Sequence, residues 1–508
     1  MKQKLAYTSM AVTLVMVVGY VLSFVKEAII ANYYGVSYLV DAYTIAITIP
    51  VTLFAVVSVA IQSICVPIYS DILYKENIEQ ANLYISRLLS AVSLIAIIFI
   101  TICEFAASPL IYFFAPGFDT ITHELATKLL RICLPIVLFT IIDKVFISLL
   151  NVHKQFILPS FAIYILNIIL IASVVILNES IGIVAACFGQ VLGGFLELSY
   201  LYFLARKYYK FQFKFEIKDK HIVKSLKNSI PIMWSISIAE ICATINRAVA
   251  SFLFVGSIAA LGYAAKLNSV LISFFTAAVS TIVYPLFAES TAQNNLEQLN
   301  KRVNFILSAY TFFLVPLMLW VFCYKSEIVE IVFARGAFNQ SAIDITQSLF
   351  GCYVAGLLFM AFRETITKVF YSLHDTKTPA VNATIGVFLN IVLNLTLPFI
   401  IGVEGLAIAT SITACVISIR LIYQLIKNNV ELSLKTFWPN VVKIIVASFL
   451  MFVILKVVAD MMCDSLAIFR LLVGVFAALI SYFTISYFFN IPILAEVHKM
   501  FISKNKKE

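Results

Sequence analysis

The chain has 508 residues, 62% of them hydrophobic and 12% charged, with a mean hydropathy of +0.99 and a net charge of +9. Soluble chains carry about a quarter charged residues, so this composition excludes an ordinary water-facing globule. The apolar runs reach helix-spanning length and lack the alternating segments of about ten residues that mark a membrane barrel, which leaves an all-α polytopic membrane protein.

The chain opens MKQKLAYTSMAVTLVMVVGYVLSF, basic and then apolar. It has the outline of a signal peptide but no small-residue cleavage site, and it runs on into patterned sequence, so it reads as a first spanning helix. The pattern predicts fourteen spans, at 6–33, 40–69, 82–108, 125–150, 157–178, 181–206, 226–254, 259–287, 302–323, 345–371, 379–400, 404–427, 440–460 and 467–490. Several exceed the twenty or so residues that a crossing needs, which predicts tilt or a broken helix. With the N-terminus inside, the cytoplasmic loops collect Lys75, Lys154, Lys301, Arg302, Lys377, Lys427 and the dense cluster from Arg206 to Lys227. The opposite side holds little beyond Lys128, Lys325, Arg335 and Arg470. This asymmetry places both termini in the cytoplasm. The positive charge is therefore mainly topological and gives no reason to invoke nucleic acid, although the cluster can also touch anionic lipid.

The nine cysteines fall almost singly in or beside apolar runs, with no CxxC pair, and the five histidines show no ligand spacing. Packing and solvated loops account for them, and no metal site is expected. No Walker loop, GxSxG, HExxH or pair of catalytic carboxylates is present, so the chain reads as a transporter without catalytic residues or cofactor. Its energy would come from an ion gradient (Na+ or H+), the membrane potential or the substrate's own gradient.

The chain also repeats itself. Gly35 with Ala42 and Tyr43 answers Gly256 with Gly262 and Tyr263; Pro67 answers Pro285; Ala115–Phe118 (APGF) answers Ala334–Phe338 (ARGAF). Lys144–Phe146 (KVF) answers Lys368–Phe370 (KVF), Pro159 answers Pro379, and Gly182–Ala185 (GIVA) answers Gly405–Ile408 (GLAI). The offsets, 221, 218, 219, 224, 220 and 223, stay in order and nearly in register. Two pseudo-symmetric six-helix lobes follow, helices 1–6 and 7–12, with helices 13–14 added. The corresponding domains are 1–210, 211–430 and 431–508. An even number of helices per copy makes the repeats parallel, with substrate bound between halves that rock against each other.

Ionisable groups at membrane depth are costly and mark candidate sites. Lys26 and Arg247 correspond at an offset of 221, each nine residues before its glycine, about 13 Å along a helix. Lys266 lies ten residues beyond Gly256 on the next helix. Three cations at one level suit an anion; the competing reading, that they snorkel or neutralise Glu27, Asp41 and Glu240, stays open. Those three acids, with Asp143, Glu197 and Glu364, are candidates for a coupling proton or sodium ion, and Asn390 and Asn394 offer carbonyl oxygens. A second cationic level holds Lys144, Arg363 and Lys368, with Lys144 and Lys368 as repeat equivalents and Arg363 deepest. Asp143 and Glu364 lie beside these cations, which also suit topology anchors.

The stretches VKEAIIANYYG with DAY (25–35, 41–43), APGFD (115–119), GSIAALGYAAKL (256–267), FARGAF (333–338), KVFYSLHDTKTP (368–379) and GLAIATSI (405–412) together resemble the MurJ/MviN family of lipid II flippases, within the superfamily of multidrug and oligosaccharidyl-lipid exporters. The resemblance covers about residues 5–428, and the last two helices fit the family's usual fourteen. It implies a V-shaped pair of lobes around a cationic cavity, with helices 13 and 14 forming a groove for the lipid tail. It also implies a bacterial cytoplasmic membrane location and, as partners, lipid II, membrane lipids and cell-wall synthesis proteins. Lys26 and Lys266 fall on the family's cationic positions. Two arginines common in relatives appear here as Tyr20 and Phe54, and Arg247, outside the usual positions, restores charge. The implied function is transfer of undecaprenyl-pyrophosphate-linked lipid II from the inner to the outer leaflet by alternating access. The nearest alternative is a flippase for another lipid-linked oligosaccharide, of O-antigen, capsule or exopolysaccharide type. A drug/cation antiporter would instead need a cavity of carboxylates and aromatics.

Overall fold

The computed structural model describes residues 2–210, 212, 240–278, 283–427, 434–463 and 465–494, and every regular element among them is a helix. The first half comprises α1 (Lys2–Tyr34), α2 (Tyr38–Lys75), α3 (Ile78–Phe105), α4 (Ala107–Phe114), α5 (Thr120–Cys133), α6 (Ile136–Val152), α7 (Ile157–Ser160), α8 (Ala162–Ile181) and α9 (Val184–Ala205). A helical run at 240–251, here α10, follows, and then α11 (Ser257–Ala278), α12 (Tyr284–Ala292), α13 (Leu296–Phe333), α14 (Gln340–Val354) and α15 (Leu357–Ser372). The last are α16 (Lys377–Thr396), α17 (Pro398–Ile401), α18 (Glu404–Lys427), α19 (Leu434–Met461) and α20 (Ala467–Phe488). Hydrocarbon offers no partner to a free N–H or C=O, so these apolar stretches satisfy their backbone within helices.

Ten stretches are long and apolar enough to cross a membrane, and the pair α14–α15, bent by 41°, makes an eleventh. Much of the predicted seventh span, 226–254, lies outside the described residues. Two predicted spans are broken: the fourth at Leu134 and Pro135 between α5 and α6, the tenth at Ala355 and Gly356 between α14 and α15. Proline removes a helix donor, and Gly356 lets the backbone lie against Ser411. The helices α2 and α13 each run 38 residues, about 57 Å at 1.5 Å per residue and well beyond the ~30 Å hydrocarbon layer. Pro67 is carried inside α2, whereas its sequence match Pro285 opens α12, where its missing N–H costs nothing.

Contacts group the chain into two compact units, residues 1–259 with 335–338, and residues 260–334 with 339–508. In the first unit α2 is the central post, packed by α5 and α6, with α3 against α6 and α8 antiparallel to α9. Its core includes Tyr69, Tyr84, Leu88, Val145, Phe146 and Leu149. Gly189 and Gly193 bring α9 close to Ser173 and Leu166 of α8, the small-residue packing of membrane helices. In the second unit α13, α15 and α18 enclose Phe287, Leu307, Ile366, Phe370 and Leu421. Here α19 and α20 dock on α13: Tyr482 donates to the Phe312 carbonyl at 2.7 Å, and Arg470 pairs with Glu327 at 3.2 Å. The α13 backbone leaves helical geometry at Tyr324, whose ring lies against Gly474.

Matching punctuation recurs in the two halves. Asn77 and Asn295 cap α3 and α13, and Asp119 and Asn339 cap α5 and α14, each accepting from the amide three residues on. After α6 the chain turns through Lys154 (φ 59°), and after α15 through His374 (φ 61°). Gly182 (φ 57°) and Gly402 (φ 73°) close the next helices. Lys154 to His374, Pro159 to Pro379 and Gly182 to Gly402 all differ by 220, which corrects two sequence matches. Gly182 answers Gly402 rather than Gly405. Lys144 answers Glu364 rather than Lys368, Asp143 answers Arg363, and Lys368 stands where the first half has Ser148. The KVF triplets are four residues out of step, about one helical turn, so the hydrophobic pattern looks the same in either register.

Candidate functional site

Lys26 lies on α1, half-buried, with its Nζ 3.1 Å from Glu27. Arg247 lies on α10, also half-buried. Its Nη1 is buried without a hydrogen-bond partner among the described residues, and Glu240, two turns earlier, supplies the facing charge. A guanidinium has only donors, and a buried donor left unmet is a cost that an anionic ligand removes. Lys266 is half-buried on α11 and belongs to the second unit.

Helix ends refine the depths. Lys26 is eight residues from the end of α1 (34 − 26), Lys266 nine from the start of α11 (266 − 257), and Arg247 four from the end of α10 (251 − 247). Along its own helix, Lys26 lies about 12 Å, Lys266 about 13 Å and Arg247 about 6 Å from that end. Counting from the glycines equated Lys26 with Arg247 because it missed a difference in loop length, 35–37 against 252–256.

Asp41 is buried, and its carboxylate is engaged. Its Oδ2 accepts from Gly256 N at 2.7 Å and its Oδ1 from Ala259 N at 2.8 Å, capping the first turn of α11. An anion there meets the free amides and positive end of a helix. Around it Ala337 N donates to the Asn32 carbonyl at 2.8 Å, and Gly117 N to Ser251 Oγ at 3.0 Å. Gly336 (φ 57°) presses on Asn32, where a side chain would collide. Asn32, Asp41, Gly117, Ser251, Gly256, Ala259, Gly336 and Ala337, drawn from four of the motif stretches and the end of α10, thus lie in linked contacts within the first unit. The sequence supplied those motifs but no signal that they touch.

The second cationic level divides. Lys144 is half-buried beside the buried Asp143, and Arg363 is exposed. Lys368 is tied to Glu364 at 3.6 Å and lies over the Tyr371 ring at 5.9 Å. Asn394 Nδ2 donates to Asn390 Oδ1 at 2.7 Å, and Asn390 Nδ2 to Thr413 Oγ1 at 3.3 Å, so these amides serve one another. Among the described residues no three acidic, histidine or cysteine side chains gather as metal ligands. Phe54 is a core residue whose ring lies 4.8 Å from Phe99, and Tyr20 is 60% exposed. In the loop after α15, Asp375 accepts from Thr378 N at 2.9 Å, and Thr378's hydroxyl and amide hold its carboxyl below the usual range. The HDTKTP motif is thus a turn with a cap.

Many apolar spans with ionisable groups set among them define a polytopic helical membrane protein. A multidrug resistance MATE family transporter of the MOP superfamily, solved in an inward-facing conformation, shares the fold alone: TM-score 0.67, 15% identity, 80% of this chain and 94% of its own. The family model described as the lipid II flippase MurJ matches residues 30–482. The chain belongs to the MurJ family. The probable lipid II flippase MurJ of Buchnera aphidicola subsp. Baizongia pistaciae is 26% identical over 377 residues, 73% of each chain. A lipid II flippase MurJ solved in an inward closed conformation superposes with TM-score 0.81 at 27% identity, over 94% of this chain and 98% of its own. The protein is thus a multi-pass membrane transporter of the kind found in the bacterial inner membrane, not an enzyme.

Proposed function

We propose that this chain moves lipid II from the inner to the outer leaflet of the bacterial cytoplasmic membrane by alternating access. The family match across residues 30–482 carries this reading. Fourteen helices form two six-helix lobes, 1–210 and 211–430, followed by helices 13–14 and a basic tail in 431–508; the caps and turns repeated at an offset of 220 support this division. Both termini lie in the cytoplasm, as the basic loops favour. Lys26, Arg247 and Lys266 hold the pyrophosphate, a role supported by the unpartnered Nη1 of Arg247. Lysine supplies a point charge and arginine a two-pronged donor, so Arg247 orients what the lysines attract. Glu27 and Glu240 balance these cations when no substrate is bound, and Asp41 serves as a cap in place of an ion site. Arg363 supplies the second cationic level, and Lys368 is quenched by Glu364. Cell-wall synthesis proteins are the expected partners on either side of the step.

Depletion with rescue tests the substrate. Loss of the protein is expected to stop lipid II translocation and wall growth; intact wall growth with a block in another surface glycan overturns the reading. The double variant Lys26→Ala, Lys266→Ala is expected to abolish complementation while inserting normally. Wild-type growth from that double variant removes the cavity assignment.

A further inference from the structure

The membrane core of the first unit holds a second ionisable site, which the pyrophosphate reading leaves unused. The helices α6 and α9 run side by side in constant register: Phe139 meets Phe195, and Phe146 meets Tyr202, each with ring centroids 5.9 Å apart. Both pairs differ by 56 (195 − 139 and 202 − 146), so the helices are parallel, and Gly194 lies against the Phe139 side chain, which puts Gly194 on the face of α9 that meets α6. One turn beyond that contact α6 carries Asp143, four residues on from Phe139, and α9 carries Glu197, three on from Gly194, so both lie towards the facing sides of the two helices.

Asp143 is 6% exposed, and its Oδ1 has no hydrogen-bond partner among the described residues. The charge of Glu197 acts on it, and that of Lys144 acts on both acids. The other helices against α6 bring little else. Between Asp41 and Asp71, α2 has no charged residue or histidine and offers Cys65 and Tyr69. On α3 the charged residue at comparable distance from the inner end is Arg87, and the charges that act on Asp143 remain those of Glu197 and Lys144.

A buried carboxylate with an unpartnered oxygen is costly, a second carboxylate near it adds repulsion, and one lysine balances only one negative charge. The arrangement of lowest cost has a single proton across the two carboxyls, with the remaining negative charge opposite Lys144. Glu197 is half-exposed and Asp143 buried, so Glu197 is the more accessible of the two. The second half lacks the pair, since the matching positions are Arg363 and Ile417.

We propose that Asp143 and Glu197 together bind one proton at neutral pH, and that this proton is the ion coupled to transport; the second clause rests on the flippase reading. Infrared-monitored pH titration of the purified protein tests the first clause without substrate. A protonated-carboxyl band is expected to persist at neutral pH, to vanish in Asp143→Asn and to survive in Asp143→Glu, which controls for folding. Glu197→Gln, which removes the repulsion, is expected to move its midpoint towards acid, and Lys144→Met to move it the opposite way. An unchanged band in Asp143→Asn, or shifts of one sign in the other two, overturns the shared proton. In proteoliposomes with lipid II, Asp143→Asn is expected to lose the dependence of translocation on a pH gradient, and wild-type dependence overturns the coupling. If the unaltered protein moves no lipid II, the flippase reading and the coupling both fall, whereas the infrared result stands.

Discussion

Counted from the left-handed turns that follow them, α6 and α15 bury the same positions: Ile141, Val145, Phe146, Leu149 and Leu150 in the first, Ala361, Thr365, Ile366, Val369 and Phe370 in the second. Their charges do not follow. Asp143-Lys144 stands against Arg363-Glu364, with the acid buried and the arginine exposed. A backbone repeat is held by caps, turns and apolar faces, whereas a charge needs only one partner and a place to sit. The two halves therefore share a scaffold and divide the chemistry, with a buried acid in one and an exposed cation in the other.

The largest effect is expected where the halves differ most outside that layer. Asp41 caps α11 through two amides, and its counterpart, counted from the helix starts (41 + 219), is Ala260. Asp41→Ala is expected to cost about 3 kcal/mol, the loss of two charge-assisted hydrogen bonds. Thermal unfolding in detergent measures it, and a cost near zero would mean that water replaces the carboxylate. The shared scaffold predicts equal, smaller effects. Asp119→Ala and Asn339→Ala each remove a cap, and each is expected to lose about 1 kcal/mol in the same assay; clearly unequal losses would break the match of α5 with α14. Smallest are the turns at Lys154 and His374, both left-handed at non-glycine residues. Lys154→Gly and His374→Gly are each expected to gain roughly 0.5 kcal/mol, and a loss at either would show that its side chain holds the turn.

Much was legible without coordinates. Composition and run length identified a helical membrane protein, because hydrocarbon leaves the backbone no other way to satisfy itself. The recurrence of Pro159 at Pro379 exposed the internal repeat, and the motif set from YYG to HDTKTP pointed to the family. The register along α6 and α15 was not legible, because a slip of four residues keeps an apolar face intact. Nor was the level of Arg247, since two loops of different length separate equivalent helices.

What only the tertiary structure decided is which charges have partners. As sequence, Glu27, Asp41, Glu240, Asp143 and Glu197 are five similar acids in apolar surroundings. In the fold Asp41 receives two amides, Glu27 a lysine and Glu240 the field of Arg247, whereas Asp143 is buried with an oxygen that has no partner among the described residues. Sequence determines which groups are present and on which helix. Their chemistry follows from what packing brings within a few ångströms, because in a low-dielectric interior the nearest partner sets whether a charge persists.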